Sequence, residues 1–61
     1  MKQQPTFTYQ IWQDGMMVAS ATSTDKATAK REGLRYLHQY AQDGSATIRG
    51  PDVDMTVEHS R

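Results

Sequence analysis

The sequence predicts an α+β domain of two layers, a mainly antiparallel sheet with one helix on one face, in the order ββαβ or ββαββ. Three features predict it. Apolar and polar residues alternate on both sides of Asp14-Gly15. Apolar residues recur at helical spacing between Asp25 and Gln42. Alternation then returns beyond Gly44.

The first strand is expected from Thr6 to Gln13, where Phe7, Tyr9 and Ile11 alternate with Thr8 and Gln10. Asp14-Gly15 supplies the two positive-φ residues of a tight hairpin, and Met16 to Thr22 returns as the second strand. A two-residue loop sets Gln13 opposite Met16, Trp12 opposite Met17, Ile11 opposite Val18 and Tyr9 opposite Ser20. One face then carries Phe7, Tyr9, Ile11, Met16 and Val18. The other carries Thr8, Gln10, Trp12, Met17, Ala19 and Ala21. A slip of one residue inverts that assignment.

Ser23, Thr24 and Asp25 can each cap a helix N-terminus, and the helix is expected from Asp25 to Gln42. Plotted at helical spacing, Ala27, Gly33, Leu34, Tyr36, Leu37, Tyr40 and Ala41 fill one half with Lys30. Thr28, Arg31, Glu32, Arg35, His38, Gln39 and Gln42 fill the other. Gly33 costs up to ~1 kcal/mol against Ala in a helix interior. Its place in the apolar half implies close packing on the sheet, with close approach of a ligand or partner as the alternative. Gly44 suits the position that ends the helix.

Ala46 to Arg49 alternate as a third strand, Gly50-Pro51-Asp52 turns the chain, and Val53 to Glu58 alternate as a fourth. A crossover through the helix sets the third strand beside the first, giving the order 2-1-3, with the fourth strand outside the third or paired with another chain. Sixty-one residues hold one domain, expected over 6–58, with a flexible arm over 1–5 and a tail over 59–61.

Composition narrows the function classes. Without cysteine, disulfides and thiolate metal sites are excluded. Seven basic and seven acidic residues balance, so no net field favours nucleic acid or an anionic membrane. The start of the chain has no apolar segment of signal-peptide type, and the expected location is cytoplasmic.

Catalytic residues are expected to be none. Ser20, His38 and Asp43 can be assembled into a triad only on paper, and no serine stands in a glycine-framed elbow. Metal ligands are likewise expected to be none. His38 reads as an exposed helix residue, and His59 as tail. Asp52, Asp54 and Glu58 read as solubilising charge that also protects a terminal strand from edge pairing. No cofactor and no small-molecule substrate are implied.

Surfaces remain. One helix covers one side of a sheet, so Trp12 and Met17 are expected opposite each other on the uncovered side, beside Ala19 and Ala21. Such a patch suits a protein contact, with the C-terminal strand folding back as the alternative cover. Arg31 and Arg35 lie one turn apart on the outer helix face, either as a solvated stripe or as contacts for an acidic surface. The expectation is a non-catalytic protein-binding module, not an enzyme. It would be a regulator or inhibitor masking a larger complex, by analogy with small chains made by phages and mobile elements. Its partner would be a protein or a second copy in a homodimer. A nucleic-acid-binding regulator using Arg31 and Arg35 is the alternative.

The strand–Asp-Gly–strand–helix order resembles the start of antitoxins of the HicB type. The resemblance is one of element order and implies no site residue, cofactor or partner.

Overall fold

The computed structural model describes residues 5–58. The expected arm, apart from Pro5, and the expected tail lie outside the described residues. Five elements follow in the order ββαββ. They are β1 (Phe7–Gln13), β2 (Met16–Ser23), α1 (Lys26–Ala41), β3 (Ser45–Gly50) and β4 (Val53–Glu58). The strands form one antiparallel sheet in the order β2-β1-β3-β4, with the expected 2-1-3 core and the fourth strand outside the third in the same chain. The helix packs against β1, β2 and β3 and reaches β4 least.

Asp14 (φ 56°) and Gly15 (φ 78°) both take positive φ, as a type I′ hairpin requires. Gln13 pairs with Met16 and Trp12 with Met17, but the register then shifts and Ile11 pairs with Ala19. Val18 is the extra residue of a β-bulge, which changes which side chains share a face. Tyr9 pairs with Ala21 rather than Ser20, and Ile11 with Ala19 rather than Val18. Ala19 and Ala21 therefore lie on the helix side, against the expectation that they lie beside Trp12, and Ala21 is buried. Small side chains there let the helix approach β2, and the bulge delivers them.

The core under the helix is built on Tyr9, Ile11, Leu37 and Ile48, all fully buried, with Ala29, Ala41 and Ala46 around them. Ala29, Gly33, Leu37 and Ala41 form the buried stripe of α1, while Ala27 and Tyr36 of the expected apolar half are exposed. Close packing accounts for Gly33. A Cβ at that position would stand 2.9 Å from Tyr9 Cβ and 3.1 Å from Ile48 Cδ1. Gly50 makes room in the same way, since a Cβ there would overlap the Tyr9 ring.

Both helix ends are closed by side chains. Asp25 is the N-cap, accepting from the Thr28 backbone N–H at 3.2 Å and from the Thr28 hydroxyl. These hydrogen bonds, the Thr28 hydroxyl first, hold its carboxyl below the usual aspartate range. At the other end Gln13 Nε2 donates to the carbonyl oxygens of Tyr40 (2.9 Å) and Ser45 (3.2 Å). A β1 side chain thus adds a second donor to the Tyr40 carbonyl, which also accepts from the Asp43 backbone N–H at 3.3 Å. The C-cap is Gln42, and Gly44 follows two residues later with φ +146°, a conformation that suits glycine.

Candidate functional site

Trp12 projects from the sheet face that α1 leaves bare. Its neighbours Ile11 and Gln13 point to the helix side, and strand alternation sends the indole the other way. Pairing across the strands gives a row Met17–Trp12–Thr47–Thr56 on this face. A second row runs Ser20–Gln10–Arg49–Asp54, and Thr22 meets Thr8 in a third. The expected Trp12–Met17 pair is therefore present, but the expected alanines are replaced around it by hydroxyl and amide groups.

Local contacts hold the indole in place. Its Nε1 donates to Gln10 Oε1 at 3.2 Å. The Arg49 guanidinium carbon sits 5.6 Å from the ring centre, within range of a cation–π attraction. Arg49 Nε also lies 4.0 Å from Asp54 Oδ1. Trp12 is half-buried by these neighbours, whereas Met17 is 51% exposed and Met16, at the hairpin tip, 64% exposed. Beside the indole, a hollow of ≈ 180 Å³ opens between Trp12, Thr47, Arg49 and the Asp14-Gly15 turn. Hydroxyl pairs lie on either side of that second row, Thr8 with Thr22 at 3.0 Å and Thr47 with Thr56 at 2.8 Å.

Arg31 and Arg35 stand elsewhere. Both are exposed on the helix surface turned away from the sheet, so the two layers separate them from Trp12 and Met17. Arg35 borders a second hollow of ≈ 190 Å³ with Glu32, Tyr36 and Gln39. One partner surface lying flat on the bare sheet cannot also touch this pair. The four candidate residues thus divide into two sites on opposite sides.

Ser20 lies on the bare sheet face and His38 is exposed on the helix, so the paper triad is not assembled. Among the described residues, no three His, Asp or Glu side chains gather as metal ligands.

The chemistry the sequence reading missed is at Asp52, which does more than solubilise. The buried Tyr9 hydroxyl donates to Asp52 Oδ1 at 2.7 Å, and Lys30 and Lys26 lie 3.4 Å and 3.8 Å from Oδ2. Burial first, and the Asp52 carboxylate second, push the Tyr9 hydroxyl up to about 12. The Tyr9 hydrogen bond, followed by the Lys30 and Lys26 charges, holds Asp52 below the usual aspartate range. This group ties β1 and the helix to the β3–β4 turn. Its hydroxyl is enclosed, so it is a structural clasp and not a site open to substrate.

The chain matches no protein-family model, no curated protein and no solved structure. Among the described residues, no helix is long and apolar enough to cross a membrane.

Proposed function

We propose that the chain is a small protein-binding module, a regulator or inhibitor that acts by covering the surface of a larger protein with its bare sheet face. The observation that carries this reading is the Trp12–Met17 pair. An aromatic ring and a flexible thioether lie side by side on a face with no second layer, next to a hollow that can receive a side chain. Trp dominates binding energy at protein contacts because it removes a large apolar area from water in one rigid piece, and Met adapts to irregular partners. Arg49 adds a cation beside the indole, available to a partner carbonyl or carboxylate. The surrounding hydroxyls make the polar rim such a contact needs.

The test is capture by the tagged chain, with Trp12→Ala and the double change Arg31→Ala/Arg35→Ala run in parallel. Loss of a partner with Trp12→Ala, together with its retention by the arginine variant, is the expected result. Retention of every partner by a folded Trp12→Ala variant overturns the reading. The nucleic-acid reading makes the reverse demand, binding that the arginine variant abolishes and that weakens steeply with salt. Glu32 beside Arg31 and the balanced net charge weigh against it.

A further inference from the structure

We infer that the free edge of β2 pairs antiparallel with β2 of a second copy of this chain, joining two four-stranded sheets into one. The inference rests on the sheet edge and not on Trp12, so it stands or falls apart from the proposed partner face.

The order β2-β1-β3-β4 leaves two edges, and they differ in kind. Exposed edges invite pairing, and proteins blunt them with charge, proline or shortness. The β4 edge is six residues, carries Asp54 and Glu58, and is entered through Pro51 and Asp52. The β2 edge is eight residues without a charge or a proline, inside an uncharged run from Gly15 to Thr24. Against pairing it has the Val18 bulge, where the Tyr40 hydroxyl also occupies the Val18 carbonyl, and beyond that Ala19 to Ser23 pair regularly with β1.

Exposed apolar side chains gather at the same edge. Among the described residues the exposed large hydrophobics are Met16, Met17, Tyr36 and Met55, and the first two belong to β2 itself. Tyr36 precedes Tyr40 by one turn on the same helix stripe, and the Tyr40 hydroxyl donates to the Val18 carbonyl oxygen at 3.3 Å. Tyr36 therefore lies on the β2 side of the helix, while Met17 flanks β2 on the bare face. A partner strand at this edge would cover both flanks.

Charge and symmetry select the occupant. In an antiparallel β2–β2 pair every side chain meets hydroxyl, methyl or thioether groups, and no like charges face each other. In a β4–β4 pair centred on Thr56, Asp54 would face Glu58 of the other copy, which is unfavourable. A β2–β4 pair would be head-to-tail and could propagate without closing. The β2–β2 pair is isologous, closes at two copies, and leaves only the charged edges outside.

The test is the mass of the untagged chain by light scattering over rising concentration, with NMR on a mixture of isotope-labelled and unlabelled chains. The expected mass approaches twice 6.9 kDa, with Hα–Hα contacts between chains along β2. The double variant Ser20→Lys/Thr22→Lys, both exposed positions, is expected to stay folded and to show the single-chain mass at every concentration. The single variant Ser20→Lys is expected to raise the dissociation constant should the double variant not fold. A single-chain mass at millimolar concentration overturns the inference. So does a dimer whose inter-chain contacts map to Trp12 or to the helix.

Discussion

Thr47 and Ile48 are neighbours in β3, and they belong to two different kinds of surface. Ile48 is fully buried under the helix, 3.1 Å from where a Cβ on Gly33 would stand. Thr47 faces away, pairing its hydroxyl with Thr56 in the open. The same contrast holds along β1 between Tyr9 or Ile11 and Thr8 or Gln10. The covered face is fixed by close contact, with glycines removed of side chains where Tyr9 passes. The bare face carries hydroxyl pairs, the Gln10–Arg49–Asp54 row and one indole beside Met17. Folding energy is therefore concentrated on one side of the sheet, and the proposed partner face is the other side.

The largest effect is expected where the covered face is tightest. In an open helix, Gly33→Ala would gain up to ~1 kcal/mol from helix propensity. Here the new methyl must displace Tyr9 near its backbone, and overpacking of a core typically costs about 1–3 kcal/mol. Tyr9 is held at its far end by Asp52 and cannot swing away, so the second term wins. A net loss on the order of 1 kcal/mol lowers the melting temperature by roughly 4–8 °C in a domain of this size. A melting temperature that rises in Gly33→Ala would show that the two layers are not in close contact.

The clasp between the layers gives a prediction in pH. Tyr9 has a raised pKa, so its contribution is fully present below the ordinary tyrosine value of about 10. It is lost as pH rises towards about 12, the folded value. Asp52 has a lowered pKa, so its contribution is present above the ordinary aspartate range and lost as pH falls through the folded value. Stability should therefore fall at both ends. Tyr9→Phe should flatten the alkaline fall and shrink the acid one, because the hydroxyl is the largest cause of the Asp52 shift. Thermal melts of both proteins across pH check this, and parallel curves for the two would remove the clasp from the account.

Much of this architecture was legible in the chain, and the exceptions share a cause. Asp14-Gly15 and the alternation of β1 determine the hairpin and the Trp12–Met17 pair, because both signals are local. The bulge leaves no local mark. Met17, Val18 and Ala19 are all apolar, so a period of two fits either register, and only the need for small residues under the helix selects one. Asp52 has the same difficulty in another form. It reads as a turn carboxylate because the hydroxyl it accepts belongs to Tyr9, 43 residues earlier. Arg49 over the indole becomes visible only once β3 is known to lie beside β1.

The smallest effect should come from the bare face. Thr47→Val/Thr56→Val keeps both β-branched shapes and removes an exposed hydroxyl pair. Taking away both partners of a hydrogen bond with groups of the same shape is nearly neutral, since no donor or acceptor is left unpaired. The change in stability should stay within about 0.5 kcal/mol, as for surface substitutions generally. The same change extends apolar surface from Trp12 to β4, so any binding by the indole should lose orientation while folding is untouched. Denaturant midpoints measure the first outcome. A loss approaching that of Gly33→Ala would mean that the hydroxyl pairs share the work of the core, and the division between a folding face and the proposed partner face would fail.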